Sequence, residues 1–137
     1  MKIAVAVDGS ENALRAAKHA IMLVQHLPGA HLEIIYVADF NKANDERLLA
    51  QSPESLSLKR EQKIQPVLKL AKSVGVEIKS TMLRGNPSQE IVKYVNEQSI
   101  AQLVIGSRGL NAFQEMILGS VSHQVMKHAS CPVTIVK

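Results

Sequence analysis

The segment Gly106-Ser107-Arg108-Gly109, followed after nine residues by Gly119-Ser120-Val121-Ser122, is the part of this 137-residue chain whose residue types and spacing suit chemistry best. Glycine tolerates positive φ and has no side chain, so the main chain can approach a ligand and aim amide N–H groups at an anion. The second half opens a helix, which adds N–H groups without an intrahelical partner and the positive end of the helix dipole. The hydroxyls of Ser120 and Ser122 complete the shell. Taken singly, Gly109 would turn the chain and Gly119 would mark a loop. The apolar strand before the first pair, the fixed return at Gly119 and the hydroxyl-rich helix start together favour a phosphate.

The elements that must position this cradle follow from hydrophobic period and punctuation. Lys2 to Val7 reads as a buried strand, and Asp8-Gly9-Ser10 turns it into a helix with Ser10 as N-cap and Glu11 favourable to the dipole. Leu14, Ala17, Ile21 and Val24 recur at helical spacing until Pro28-Gly29 stops the helix. His31 to Val37 is a second strand, and the polar stretch from Asp39 to Ser55 reads as a long mobile connection. Ile64, Val67, Leu68, Ala71 and Val74 mark a second helix, with Pro66 either near its first turn or inside a longer one. Val76 to Leu83 is a third strand. Asn86-Pro87-Ser88-Gln89 opens a helix with an N-cap, a proline at the first helical position and a residue that reaches back. Gln102 to Ile105, Gly119 to Ala129 and Pro132 to Val136 complete an alternation of five strands and four helices.

Such alternation predicts a single-domain, doubly wound α/β fold of Rossmann-like type, with a five-stranded, mostly parallel sheet covered by helices on both faces. Ligands of these sheets sit beyond the carboxyl ends of the strands, where the strand order reverses. For the order 2-1-3-4-5 or a variant of it, Asp8 faces the glycine cradle.

Composition narrows the function classes. The hydrophobic share of 46% and charged share of 20% are those of an ordinary globular chain. The formal charge of +4 comes from scattered lysines and arginines, and only 3% of residues are aromatic, which disfavours nucleic acid and leaves a small anion. No apolar stretch is long enough to cross a bilayer and no secretory leader precedes the first strand, so the expectation is a cytoplasmic protein away from membranes. Cys131 has no second cysteine to pair with and reads as a small buried hydrophobe.

At these residues the chain resembles the universal stress protein family, whose ATP-binding branch carries G-x2-G-x9-G-[S/T]. Gly106, Gly109, Gly119 and Ser120 match that pattern without a gap. Ala6-Val7-Asp8-Gly9-Ser10, Gly85-Asn86-Pro87 and Cys131-Pro132-Val133 extend the likeness over nearly the whole chain. The resemblance implies an ATP ligand, with ADP or AMP as alternatives and magnesium or manganese as the accompanying ion. It implies that Val7, Asp8, Gly9 and Ser10 border the ribose and phosphates, Asp8 directly or through the metal. Val37 would pack on adenine, and Ile105, Gly106, Ser107, Arg108 and Gly109 would flank the nucleotide. Gly119, Ser120, Val121 and Ser122 would take the phosphates. Arg108 stands at a variable position of the family, where a solvated arginine and a phosphate contact are both open. A homodimer is also implied, and the apolar strand 132–136, if it is a sheet edge, supplies its own reason.

Catalytic candidates are weak. Among five histidines, only His123 lies near the cradle, and a surface role suits it as well as a general base. There is no G-x4-G-K-[S/T], no G-x-G-x-x-G after the first strand, and Asp8-Gly9-Ser10-Glu11 departs from the S-G-G-x-D-S of ATP-splitting pyrophosphatases. The reading is an ATP-binding dimeric stress-response or signalling module whose nucleotide acts as a regulatory ligand, with protein partners unknown. A slow or partner-stimulated ATPase and a nucleotide-free dimeric interaction protein are the alternatives.

Overall fold

A computed structural model describes residues 1–39, 53–109 and 118–137. In chain order the elements are β1 (Lys2–Ala6), α1 (Glu11–His26), β2 (His31–Asp39), α2 (Pro53–Ser73), β3 (Ile78–Gly85), α3 (Pro87–Glu97), β4 (Gln102–Gly106), α4 (Ser120–His128) and β5 (Val133–Val136). All neighbouring strands are parallel. Their order is β3-β2-β1-β4-β5, where the sequence suggests 2-1-3-4-5 or a variant of it. This order seats β4, the strand that leads into the cradle, directly against β1.

Helix starts follow the local chemistry. Ser10 Oγ accepts from the Ala13 N–H at 3.1 Å and Asn86 Oδ1 from the Gln89 N–H at 3.2 Å, each satisfying one of the donors a helix start leaves open. Pro87 stands in the first turn of α3, where its missing N–H costs nothing. Of the two starts the sequence leaves open for the second helix, the structure has the longer form. It begins at Pro53, so residues 53–55 are helical rather than part of the connection, and the rest of that connection, 40–52, lies outside the described residues. Pro66 sits inside α2. Its ring deprives the Gln62 carbonyl of an intrahelical donor. Burial of Ile64, Val67 and Ala71 on the same strip outweighs that loss. Val74 falls beyond the helix and is exposed, and β3 starts two residues later than expected, at Ile78.

Two cores lie on the two faces of the sheet. Ile3, Val5, Val7, Leu32, Ile34 and Val104 pack against α1 and α2, whereas Ala4, Ala6, Ile35, Leu103 and Ile105 pack against α3 and α4 through Ile91, Val95 and Val125. The period-two alternation along β1 divides its side chains between the faces, and full burial of each Ile or Val contributes about 1.5–3 kcal/mol. The inner strip of α1 is Ala13, Ala16, Ala17, Ala20 and Ile21. Leu14 and Val24, which stand out in the sequence, are only partly covered, because the small alanines let the helix axis approach the sheet.

Candidate anion site at the carboxyl edge of the sheet

The order reverses between β1 and β4, whose register pairs Ile3 with Gln102, Ala4 with Leu103 and Val5 with Val104. Carried forward, that register brings the Val7–Asp8 end of one strand beside Gly106 of the other. The chain after β1 is held by a hydrogen bond from the Val7 N–H to Ile35 O at 2.9 Å. Gly9 then takes a φ of +89°, which a side chain would make costly, and swings the chain into α1. Asp8 Oδ1 accepts from the Ser10 N–H at 2.9 Å, so its carboxylate lies at the positive end of α1. Across the edge, burial and then the negative charge of Asp8 push the Tyr36 phenol above its ordinary value.

The two halves of the glycine cradle touch each other. The Gly119 N–H donates to Ser107 O at 2.7 Å, and the buried Ser122 hydroxyl has Ser107 O and Gly119 O at 2.9 and 3.0 Å as acceptors. The Ser107 N–H donates in turn to Val136 O at 2.7 Å. The amides of Ser107 and Gly119 and the proton of Ser122 therefore hold the cradle together rather than face an anion, a correction to the roles expected of them. Among the described residues, donors left for a ligand include the N–H groups at the start of α4, at Ser120, Val121 and Ser122, since the N-cap Gly119 brings no side-chain cap. The Ser120 hydroxyl lies on the exposed side.

None of the three cradle glycines adopts a left-handed backbone, and close approach singles out Gly106 and Gly109. A Cβ on Gly106 would stand 2.9 Å from the main-chain carbonyl carbon of Asn12, so this glycine seats α1 on the sheet. A Cβ on Gly109 would stand 2.6 Å from Asp8 Oδ2, so this one brings the loop onto the carboxylate. A Cβ on Gly119 would stand 3.4 Å from Arg108 Cα, an ordinary contact, so the two halves lie side by side without this position demanding glycine.

Val7, Asp8, Gly9, Ser10, Gly106, Ser107, Arg108, Gly109, Gly119, Ser120, Val121 and Ser122 thus gather at one end of the sheet. Ile105 is buried beneath them among the apolar residues of the α3–α4 face. Val37 stands one strand further out, partly covered on that same face and paired in register with Leu83. Arg108 is half-buried and Gly109 exposed. His123 is exposed on α4, and its N–H continues the helix to Gly119 O at 3.0 Å. Burial pushes the Cys131 thiol up, in keeping with a packing role.

Three residues at this edge escaped the sequence reading: Asn12, Tyr36 and Lys63. Lys63, on α2, lays its stem over Gly9: a Cβ there would run into Lys63 Cδ and stand 3.3 Å from Nζ. Nothing local marks these residues, since each reaches the site through strand order or helix packing. Among the described residues no cluster of three His, Cys, Asp or Glu side chains could hold a metal. A single carboxylate at a phosphate cradle does fit magnesium, which binds through one or two carboxylates together with phosphate oxygens and water.

No helix among the described residues is long and apolar enough to cross a membrane. The family model described as "Universal stress protein family" matches residues 1–137. Universal stress protein MJ0531 of Methanocaldococcus jannaschii is 35% identical over 139 residues, covering 99% of this chain and 81% of that protein. Among solved structures, that of MJ0577, from the same organism, superposes with a TM-score of 0.84 at 29% identity, covering 99% of this chain and 94% of that one. A universal stress protein in complex with cAMP superposes with a TM-score of 0.70 at 25% identity, covering 100% and 96%. With the whole chain matched by the family model and the glycine cradle closed at the sheet's switch point, this chain belongs to the universal stress protein family.

Proposed function

We propose that the chain is one adenine-nucleotide-binding unit, with ATP its principal ligand, and that the nucleotide acts as a regulatory ligand in a stress-response or signalling role. The observation that carries this reading is the convergence of Asp8 on Gly109, beside the uncapped start of α4. The α4 amides at Ser120, Val121 and Ser122 bind phosphate, aided by the Ser120 hydroxyl and the helix dipole. Arg108 flanks the phosphates. Asp8 meets the ribose side of the ligand or shares a magnesium or manganese ion with the phosphates, and Val37 packs on the base. The solved universal stress protein that holds cAMP supports an adenine ligand on this fold.

A regulatory rather than catalytic role is supported by the side chains at the cradle. Hydrolysis needs a placed general base or a water-orienting group, and His123 lies on the exposed side of α4. We further propose a homodimer joined through β5. That strand is an edge of the sheet and only half-buried, so it presents unpaired main-chain groups on an apolar strip.

The reading is tested by denaturing freshly purified protein and identifying the released small molecules by chromatography and mass spectrometry. Stoichiometric ATP, ADP or AMP is expected. Release of no nucleotide, joined to no binding when ATP is added back, would overturn it. Turnover of ATP far above a buffer control, abolished by Asp8→Ala, would replace the regulatory ligand with a substrate.

A further inference from the structure

We propose that Lys63, seconded by Arg60 one turn earlier on α2, selects for the length of the ligand's phosphate chain and favours a triphosphate over a monophosphate. The proposal rests on the nucleotide reading above and adds a group that none of the cradle motifs contains.

Helix α2 descends from the carboxyl end of β2 to the amino end of β3, so its N-terminal half stands at the edge of the sheet where the cradle lies. Its inward strip is read from the buried residues Leu56, Ile64 and Val67. Arg60 falls four residues after Leu56 and Lys63 four before Val67, so both basic side chains share that strip with the apolar ones. Both are half-buried rather than fully solvated. The Lys63 side chain crosses the Asp8–Gly9 turn, with its Nζ placed 3.3 Å from where a Gly9 Cβ would be. Arg60 Nε is shut off from solvent and has no hydrogen-bond partner among the described residues. A buried donor without a partner is a free-energy cost, and Arg60 carries it one turn from Lys63 on the same helix.

The cradle and Lys63 approach the end of β1 from opposite layers. Helix α4 packs on one face of the sheet, while α2 packs on the other with α1. The α4 amides suffice for a single phosphate, which needs no more than a helix start. A second and third phosphate add negative charge beside the Asp8 carboxylate, and that charge needs a cation. Lys63 is the ammonium the fold carries to this turn, a flexible point charge suited to a phosphate chain of variable geometry. A Cβ at Gly9 would push the lysine stem aside, and the φ of +89° at this position favours glycine in its own right.

The experiment compares ATP, AMP and inorganic tripolyphosphate on the wild-type chain, Lys63→Met and Arg60→Met by titration calorimetry at fixed magnesium. Methionine keeps an apolar stem over Gly9 and removes the charge, and circular dichroism checks that each variant is folded. Losing a charge-assisted hydrogen bond is expected to weaken ATP and tripolyphosphate about tenfold to a hundredfold in Lys63→Met, less in Arg60→Met, while AMP changes by less than about twofold. Lys63→Arg should restore most of the ATP affinity. Equal losses for ATP and AMP, or none for either, would overturn the proposal while leaving nucleotide binding intact. A wild-type chain that binds tripolyphosphate through Lys63 but neither nucleotide would instead overturn the adenine reading alone, and one that binds none of the three would overturn both.

Discussion

Asp8 and Gly109, 101 positions apart in sequence, share a space too small for one added carbon: a Cβ on Gly109 would lie 2.6 Å from Asp8 Oδ2. Oxygen and carbon at that separation are well inside van der Waals contact. A strand-end carboxylate and an exposed loop glycine therefore act as one surface, with the start of α4 beside it.

Gly109→Val is expected to displace the loop from Asp8 and to lower ATP affinity by at least about tenfold, through loss of the close main-chain approach. Because Gly109 is exposed, the folded state should be spared. Calorimetric titration with ATP, paired with a urea unfolding curve, separates the two effects. Unchanged affinity would sink the assignment of this loop.

Gly106→Ala should behave in the opposite way. The new Cβ would meet the Asn12 main chain at 2.9–3.0 Å, and backbone cannot rotate aside as a side chain can. A stability loss of about 1–3 kcal/mol is expected from this overpacking, visible as a lower urea midpoint at unchanged slope. The two glycines of one motif would then divide into one that builds the fold and one that shapes the ligand surface.

Tyr36 provides a spectroscopic reading of Asp8. Burial first, and the Asp8 charge second, raise the phenol above 10.0, its ordinary value. A raised acid holds its proton in the folded state after the unfolded chain has lost it, so stability is full below pH about 10 and falls as pH rises through the folded-state value. Tyr94, the only other tyrosine, is raised as well, by burial and then by its hydrogen bond to Glu33. In a Tyr94→Phe background, phenolate absorbance should therefore follow Tyr36 alone, and Asp8→Asn should move that titration to lower pH. An unmoved titration would show that the two groups are not coupled.

The β5 edge makes a prediction about assembly. Pro132 O and Val136 O accept from the N–H groups of Leu103 in β4 and of Ser107 just after it. By the alternation of a parallel ladder, the N–H groups of Val133 and Ile135 then face away from the sheet. Ile135→Pro removes one of those outward donors while leaving the β4–β5 bonds. Sedimentation should show a dimer for the wild-type chain and a monomer for the variant; a dimer that survives would place the contact elsewhere.

Much of this architecture is legible locally. Ser10 and Asn86 announce their helices because a capping side chain acts on amides two or three residues away, and Pro87 confirms the second. The two-part glycine spacing marks the cradle for the same reason, since a loop and the helix start that follows it are contiguous in chain. The start of α2 carries no such local mark. Its first turns carry little apolar signal, and Leu56 is held by packing rather than by propensity.

The alternation of strands and helices, the helix starts and the presence of a phosphate-type loop follow from local residues, because each depends on positions within a turn or two of one another. Long-range packing sets the strand order that puts β4 against β1, the use of Gly106 against Asn12, and the pairing of Ser107 with Gly119 and Ser122 that consumes donors of the motif. It also brings Tyr36 and Lys63 to Asp8–Gly9. These are contacts between residues tens of positions apart, set by which strands pair and which helix faces pack, and no local spacing encodes them.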